Sequence, residues 1–394
     1  MSFGQMPIAN NFLNESDKKN EYFFEMAVGF CNNCKTFQLL ENPEPEMMFN
    51  DTYAFFSGTS EYMKRHFKDF SEDLKQKYLQ EIQDPFIVEI GCNDGIMINN
   101  FKELGFRHVG IEPSGNVADV AISRGINVLK SFFNAEITSS IEKDFGKADL
   151  ITSANVICHI PDLNSVAENV SHLLSQNGVF VFEEPYLGAV IEKTSYDQIY
   201  DEHIYVFSAI GLRNSFSRHG LKLINLEPQL THGGSMRYHF ALEDSDHPIS
   251  KNVEDIVNLE LAQGLDKPET YEQFKENCEK SKSDLVKLLT KLKEQGKKVC
   301  GYAATSKSTT VLNYCDIDQE LIEFISDTTP IKQGKLSPGK YIPIKKYEEF
   351  SAFDPDYAVL FAWNHEKEIL AKEKDFSEKG GKWIKFVPTV HVNG

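Results

Sequence analysis

The sequence predicts an α/β protein with a doubly wound parallel sheet at its centre and a second, smaller α/β unit after it. Short apolar segments alternate with helix-length segments between residues 85 and 242, which implies right-handed crossovers between parallel strands. A strand-and-turn pattern returns near residue 299, after a long charged stretch of helical period. A chain of 394 residues is too long for one ordinary hydrophobic core, so we expect two or three compact units.

The elements divide the chain into three predicted domains. Residues 1–72 combine turn residues, aromatic residues and one Cys-x-x-Cys, which is typical of a small irregular domain. Residues 73–245 form the central domain, with strands at FIVEIG, HVGIEP, INVL, ADLITSAN and GVFVFEEP and helices at MINNFKEL, NVADVAISRG and LNSVAENVSHLL. Residues 246–394 begin with a helical stretch that links two domains and continue as the smaller α/β unit, with strands at EFISD and YAVLFAW.

Composition and charge narrow the classes of partner. Hydrophobic residues make up 41% and charged residues 25% of the chain, as in soluble globular proteins. The formal net charge of −18 repels polyphosphate backbones, so we expect no nucleic-acid partner. No segment has the length of a membrane span, and the N-terminus lacks a basic region followed by an apolar run. Seven scattered cysteines do not form a secreted disulfide framework, so we expect a cytoplasmic protein. We also expect no membrane partner, and either a monomer or a small homo-oligomer.

A glycine-rich turn follows the first central strand. Glu89, Gly91, Asn93 and Gly95 lie between FIVEIG and the next helix, where a backbone approaches a ligand without side chains in the way. The spacing Glu-x-Gly-x-x-x-Gly differs from that of dinucleotide sites and resembles motif I of class I methyltransferases. Glu112 ends the next strand, where a carboxylate can accept hydrogen bonds from both hydroxyls of a ribose. The resemblance implies S-adenosylmethionine (SAM) as the ligand; the alternative is an ordinary strand-turn-helix with a surface glutamate.

Two more candidates follow the fourth central strand. Asn155 and His159 lie in the segment NVICHIP. The carboxyl ends of parallel strands meet at one edge of the sheet, so we expect both side chains to line the methionine side of the donor pocket. For His159 the alternative is a packed histidine that only shapes the loop.

A cluster of ionisable groups follows the strand GVFVFEEP. Tyr200, Glu202 and His203 lie within YDEHIY. A histidine beside a carboxylate and a phenol can be tuned to remove a proton from a carbon acid. The alternative is a solvated group of charges on the surface.

Two other segments are suited to an anionic substrate. THGGSMR combines glycines, whose amides are open to a ligand, with a guanidinium that can bind an anion through two N–H groups. GYAATSKS is a strand-to-helix turn with small residues and a lysine, which suits a diphosphate. For each lysine the alternative is a solvated basic loop. The candidate residues in these segments are His232, Gly233, Arg237, Ser306 and Lys307, and Lys332, Lys335 and Gly339, which follow a later predicted strand, are candidates to add to the second site.

Seven segments of the chain together resemble those of one enzyme family: SGTSEYMKRHF, VEIGCNDG, IEPS, NVICHIPDL, YDEHIYVFS, HGGSMR and GKLSPGKYIPI. They resemble the C-methyltransferases that act on nucleotide-linked keto-deoxysugars, over nearly the whole chain. The resemblance implies a zinc-binding N-terminal domain, a class I methyltransferase domain and a C-terminal domain that helps to hold the nucleotide sugar. It assigns catalytic roles to Tyr200, Glu202 and His203. A further tyrosine that reaches the sugar corresponds to Tyr53, although Phe55 stands where relatives often have a second tyrosine.

The zinc site departs from this family pattern. Relatives ligate zinc with two Cys-x-x-Cys pairs, as a closed tetrahedral site requires, whereas this sequence has one pair, Cys31 and Cys34. Zinc is therefore a candidate cofactor with half of its usual ligand set absent. We expect either a truncated start or a domain that folds without metal, and the pair alone reads equally as a turn with two small hydrophobic residues.

These observations lead to one mechanistic hypothesis. His203 removes a proton from the carbon next to the ketone of an NDP-4-keto-6-deoxysugar, and Glu202 orients the imidazole. Tyr200 or Tyr53 hydrogen-bonds the enolate oxygen, where negative charge develops. The enolate carbon then attacks the donor methyl group, a step that depends on positioning.

The sequence also allows functions other than sugar C-methylation. A nicotinamide-dependent oxidoreductase would use the second α/β unit, but GYAATSK lacks the Gly-x-Gly-x-x-Gly spacing. A non-catalytic scaffold would retain the donor fold, yet the segments YDEH and HGGSMR are intact. Within the enzyme class, the acceptor is alternatively another small-molecule ketone or a sugar hydroxyl. The residues do not determine which sugar, nucleotide or carbon is involved, nor the stereochemistry.

Overall fold

A computed structural model describes residues 1–51, 53 and 55–393 of the chain. Its N-terminal unit is an antiparallel sheet of β1 (Ser2–Pro7), β2 (Phe23–Phe30) and β3 (Phe37–Leu39), followed by the helices α1 (Pro45–Met48) and α2 (Glu61–Leu74). Alternate side chains of β2 are buried because successive residues of a strand point to opposite faces.

The central unit is an open, mainly parallel sheet covered by helices on both faces. Its strands are β4 (Phe86–Ile90), β5 (Arg107–Ile111), β6 (Val128–Leu129), β7 (Ala148–Ala154), β8 (Leu174–Pro185), β10 (Leu221–Gln229) and β11 (Ser235–Leu242), while β9 (Tyr205–Val206) pairs with β3 of the N-terminal unit. Its helices are α3 (Ile98–Glu103), α4 (Gly115–Ser123), α5 (Ala135–Phe145), α6 (Leu163–Leu173), α7 (Leu187–Lys193), α8 (Ala209–Phe216) and α9 (Lys251–Ala262). The strand order is β10-β11-β8-β7-β4-β5-β6, and β11 runs antiparallel to both of its neighbours.

The C-terminal unit has its own sheet. After the long helix α10 (Pro268–Glu294) come β12 (Val299–Tyr302), α11 (Ser306–Cys315), β13 (Ile325–Asp327), β14 (Ile344–Lys346), α12 (Tyr347–Phe353), β15 (Tyr357–Leu360), α13 (Glu366–Lys372), α14 (Lys374–Glu378), β16 (Lys382–Lys385) and β17 (His391–Asn393). The strand order is β14-β13-β12-β15-β16-β17, parallel except at β17. Among the described residues, no helix combines the length and apolarity that crossing a bilayer requires.

The predicted fold class is confirmed: a doubly wound sheet lies between a small N-terminal unit and a smaller α/β unit. The sequence analysis overlooked α5 and the antiparallel pair β10–β11. One helix, α2, spans a predicted domain boundary, and another, α9, follows a predicted boundary but packs on the central domain. Phe67 and Phe70 of α2 pack in one cluster with Ile87 of the central sheet, and Val253 and Val257 of α9 enter the core beneath the other face.

The sheet order determines where a ligand can bind. The chain leaves β4 toward β5 on one side and returns to β7 on the other, so a crevice opens beyond the carboxyl ends of β4 and β7. The turn after β4, the end of β5 and the loop after β7 all face this crevice. It is the place where the sequence predicts the donor.

Candidate active site

One cavity of about 380 Å³ lies at this crevice and receives residues from all three units. The N-terminal unit contributes Asn10 and Tyr53, and the C-terminal unit contributes Ser306, Lys307 and Lys332. From the central unit come the predicted residues Gly91, Asn93, Glu112, Asn155, His159, Tyr200, Glu202, His203 and His232. The structure thus brings together in one cavity most of the residues that the sequence singled out.

The turn after β4 has the geometry of a close backbone approach. Gly91 has φ of +69°, and a Cβ atom there would lie 2.4 Å from Cγ2 of Val156. The N–H of Asn93 donates to Oε2 of Glu112 at 3.0 Å, and the N–H of Ser114 donates to Oε1 at 2.8 Å. These bonds fix the Glu112 carboxylate at the cavity wall, while burial raises its pKa.

The loop after β7 supplies polar atoms that lack a protein partner. Oδ1 of Asn155 and Nε2 of His159 are buried without a hydrogen bond to any described residue. Buried polar atoms are rarely left unpaired, so these two can bind polar groups of a ligand. Together with the close approach at Gly91 and the carboxylate of Glu112, they fit a nucleoside linked to an amino acid, as SAM is.

Two predicted donor ligands support the turn from behind. Glu89 is buried, burial raises its pKa, and the backbone N–H of Ile98 at the start of α3 donates to its carboxylate. Gly95 has φ of +82°, and a Cβ atom there would collide with Ile126. Neither is among the described residues that line the cavity, so their contribution is to shape the turn.

The loop that carries Tyr53 is hydrogen-bonded to the turn after β4. Nδ2 of Asn93 donates to the carbonyl of Phe55 at 3.2 Å, and Oδ1 of Asn93 accepts from the N–H of Ser57 at 3.0 Å. Nδ2 of Asn116 in α4 donates to the carbonyl of Tyr53 at 2.9 Å. The position of the Tyr53 hydroxyl therefore depends on the same turn that would hold the donor.

Tyr200 and His203 form a hydrogen-bonded pair in the cavity wall. Nδ1 of His203 lies 2.7 Å from the carbonyl of Gln198, and Nε2 lies 2.7 Å from the Tyr200 hydroxyl. A carbonyl oxygen can only accept a hydrogen bond, so Nδ1 carries the ring proton. Nε2 is then unprotonated, and its lone pair accepts a hydrogen bond from the Tyr200 hydroxyl. Burial, aided by the neighbouring His159, holds the pKa of His203 well below its ordinary value. The imidazole is therefore neutral and can act as a base.

The expected role of Glu202 as the orienting group of this imidazole is wrong. Its carboxylate accepts from Nδ2 of Asn10 at 2.5 Å and from the Tyr53 hydroxyl at 3.2 Å. Successive residues of the turn point in different directions, so Glu202 faces the N-terminal unit while the Gln198 carbonyl orients His203. Burial raises the pKa of both Glu202 and Tyr53.

The far end of the cavity is basic. Lys307 lies in the first turn of α11, where burial lowers its pKa to about 8 against the attraction of Asp197. Nζ of Lys332 lies 2.7 Å from the carbonyl of Ala304, just before that helix. Nearby, burial lowers the pKa of His232 to about 3. Ser306 and the two lysines thus surround a helix N-terminus, a geometry suited to an anion.

Three predicted substrate ligands lie elsewhere. The Arg237 guanidinium donates from Nε to Glu183 at 2.8 Å and stacks on the ring of Phe70, so a carboxylate already occupies its anion-binding edge. Gly233 has φ of +84°, and a Cβ atom there would collide with Trp363, so it serves packing. Lys335 lines a second cavity, of about 350 Å³, beside the first.

Sequence reasoning overlooked several residues that organise the site. Oε1 of Glu184 accepts from the backbone N–H groups of Val156, Ile157 and Cys158, at 2.7 to 3.3 Å, and so holds the loop after β7. Gln198 orients His203 through its carbonyl. An acidic pair at the end of an apolar strand was a visible signal for Glu184, whereas a backbone carbonyl leaves no signal in a sequence.

The residues present do not complete a structural zinc site. Cys31 and Cys34 lie in the turn between β2 and β3, and the backbone N–H groups of Cys34 and Asn33 hold the pKa of the Cys31 thiol below its ordinary value. Among the described residues, no group of three or more His, Cys, Asp or Glu ligands includes this pair, while a tetrahedral structural site needs four ligands.

Sequence similarity to a known protein shows the family to which this chain belongs. The C-methyltransferase NovU of Streptomyces niveus is 33% identical over 393 residues, which cover 100% of this chain and 93% of that protein. The chain belongs to the C-methyltransferase family. Family models described as a zinc binding domain, a methyltransferase domain and a C-methyltransferase C-terminal domain match residues 1–49, 60–226 and 230–388. This C-methyltransferase is a SAM-dependent enzyme.

Two more distant similarities each cover less than half of the chain. A ubiquinone biosynthesis O-methyltransferase of Pelagibacter ubique is 26% identical over 170 residues, 43% of this chain and 64% of that protein. The crystal structure of magnesium protoporphyrin IX methyltransferase (ChlM) from Synechocystis PCC 6803 with bound SAM superposes with a TM-score of 0.34 and 10% identity. That superposition covers 45% of this chain and 78% of ChlM.

The first prediction concerns the Tyr53 loop. Asn116→Ala removes the hydrogen bond to the Tyr53 carbonyl without changing a residue that lines the main cavity. A hydrogen bond contributes about 0.5–1.5 kcal/mol, so we expect KM for the methyl acceptor to rise roughly 3- to 10-fold. The affinity for SAM, measured by calorimetry, should not change. Asp119→Ala, at an exposed site on the same helix, is the matched control. An unchanged acceptor KM in Asn116→Ala would contradict the coupling.

Proposed function

We propose that this C-methyltransferase methylates an NDP-4-keto-6-deoxysugar at the carbon next to the ketone, with His203 as the base. The observation that carries the proposal is the Tyr200–His203 pair, which lines the same cavity as the donor-binding turn at Gly91. A base beside the donor site is what methylation of a carbon acid needs, because the carbon becomes a nucleophile only after a proton is removed.

His203 is suited to accept that proton at Nε2. The Gln198 carbonyl holds the Nδ1 proton in place, so the lone pair at Nε2 points into the cavity toward Tyr200. After the transfer, the imidazolium keeps its hydrogen bond to this carbonyl. Burial makes the cation unfavourable, which favours release of the proton to solvent once the carbon has taken up the methyl group.

Two phenols are available for the enolate oxygen. The Tyr200 hydroxyl donates to His203, and the Tyr53 hydroxyl donates to Glu202. Rotation of either O–H bond redirects the proton to a ketone oxygen in the cavity. Burial raises the pKa of both phenols, so they remain protonated donors at neutral pH and can stabilise charge that develops on oxygen.

The other cavity residues hold the two substrates. Bound SAM supplies an electrophilic methyl group, and Gly91, Glu112 and Asn155 are suited to orient it. The substrate diphosphate would lie at the start of α11, between Ser306, Lys307 and Lys332. Because these lysines are buried, their attraction for a diphosphate is less screened than at a surface. Another small-molecule ketone or a sugar hydroxyl is the alternative acceptor.

The second prediction tests the base. His203→Asn should lower kcat by a factor of about 10²–10⁴, the range that a positioned general base provides, while calorimetry should show unchanged SAM affinity. His172→Asn, at an exposed histidine remote from the cavity, should keep full activity. Lost SAM affinity in His203→Asn would instead make the ring a donor ligand.

The third prediction concerns pH. The acid limb of kcat/KM reports the essential base of the free enzyme. Since burial lowers the pKa of His203, the neutral form persists below the ordinary histidine pKa of about 6.5. We therefore expect kcat/KM to stay constant as the pH falls through 6.5 and to decline only at lower pH. A limb at or above about 6.5 would contradict a buried neutral base.

The fourth prediction identifies the acceptor carbon. In deuterium oxide without SAM, the enzyme should exchange one hydrogen of an NDP-4-keto-6-deoxysugar, at the carbon next to the ketone, as detected by mass spectrometry. His203→Asn should abolish the exchange and His172→Asn should preserve it. Methylation of a keto-sugar without any prior exchange would favour an oxygen acceptor.

A further inference from the structure

A cluster of metal-binding groups lies at the proposed active-site cavity, which two of its three residues, His159 and His203, line. Cys158, His159 and His203 each offer one ligand atom, and these three atoms lie within 4.8 Å of one another. Cys158 and His203 are buried, and His159 is partly buried. The imidazole rings of His159 and His203 stack with their centroids 5.4 Å apart and an angle of 23° between their planes. We call these residues the Cys-His-His cluster.

Each group can give a lone pair to a metal ion. Nε2 of His159 is buried without a hydrogen bond to any described residue. Nε2 of His203 accepts from the Tyr200 hydroxyl, which can rotate away. The ligands of a tetrahedral zinc ion lie roughly 3.3–3.8 Å apart, given Zn–S and Zn–N distances of about 2.3 and 2.0–2.1 Å. The three ligand atoms would therefore have to move about 1 Å closer together to bind the ion, and rotation of the side chains can supply this movement.

The charges around the cluster match a divalent cation. The Cys158 thiol lies beside the carboxyl group of Glu184, whose Oε1 accepts backbone N–H groups of the same loop. A Cys158 thiolate together with the Glu184 carboxylate carries two negative charges. Buried charges are stable only when they are compensated, and a doubly charged ion placed between two neutral imidazoles balances them.

We propose that the Cys-His-His cluster binds a thiophilic divalent cation of the zinc class, and that the bound ion inhibits the enzyme. On binding, the Cys158 thiol releases its proton to the solvent, the sulfur forms a bond to the metal, and no group is oxidised or reduced. Sulfur and imidazole ligands select zinc, cadmium or cobalt over magnesium and calcium, which prefer oxygen ligands.

Inhibition follows from the use of His203 as a ligand. An imidazole nitrogen that donates its lone pair to a metal cannot accept a proton, so the base is lost while the ion stays. The inhibition rests on the proposed function of His203, whereas the binding of the metal does not. The two parts therefore need separate measurements.

Cobalt(II) absorption spectroscopy tests the binding on the full-length enzyme. The parent is a Cys31→Ser/Cys34→Ser variant, so that the N-terminal pair cannot contribute. We expect one equivalent of Co²⁺ to give a thiolate-to-cobalt charge-transfer band and the intense visible bands of tetrahedral cobalt. Cys158→Ser in this background should lose the charge-transfer band, and Cys300→Ser, at another buried thiol, should retain it. No band in the parent, or an unchanged band in Cys158→Ser, would overturn the proposal.

A second variant guards against misfolding of Cys158→Ser. His159→Asn keeps the thiol and should weaken Co²⁺ binding at least ~10-fold, with unfolding by urea showing that it is folded. In turnover assays, Zn²⁺ should inhibit the parent more strongly than Mg²⁺ does. Cobalt bands without inhibition by Zn²⁺ would retain the metal site and reject His203 as the base. Cobalt affinity unchanged in His159→Asn would overturn the site.

Discussion

The proposed active site depends on the hydrogen bond between Nδ1 of His203 and the backbone carbonyl of Gln198. A carbonyl cannot donate, so this contact decides which ring nitrogen carries the proton and leaves Nε2 as the basic atom. The Gln198 side chain donates in turn to the carbonyl of His232. The tautomer of the proposed base is thereby tied to the turn between β10 and β11, which lines the basic end of the cavity.

The segment from Ile199 to His203 is held in place by both flanking units. The backbone N–H of Ala9 donates to Oδ1 of Asp201 at 3.1 Å, and the Thr310 hydroxyl of α11 donates to the carbonyl of Ile199 at 2.8 Å. Thr309, one residue earlier in α11, donates to the carbonyl of Ala9. The positions of the proposed catalytic groups therefore depend on all three units packed together, and the central sheet alone would not fix them.

The sequence could predict what depends on local geometry. Gly91 and Glu112 were found because a parallel sheet requires a tight turn after β4 and brings the end of β5 beside it, and both requirements are visible in the spacing of residues. Arg237 was assigned to substrate because its partner, Glu183, lies 54 residues away along the chain. The predicted contact between Glu202 and His203 was wrong for the same reason. Asn10 and Tyr53, which hydrogen-bond the Glu202 carboxylate, come from a distant part of the chain.

Two adjacent glutamates have different pKa values because the fold surrounds them with different neighbours. Glu183 and Glu184 end β8 and point to opposite faces of the sheet, as neighbours in a strand do. Burial alone would raise both pKa values. Hydrogen bonds and charges from His66, Arg237 and Thr231 nevertheless lower the pKa of Glu183 to about 2. Glu184 finds mainly neutral donors and has its pKa raised to about 7. The first is a fixed anion that joins α2 to β11, and the second holds the loop of Asn155 and His159 at the wall of the cavity.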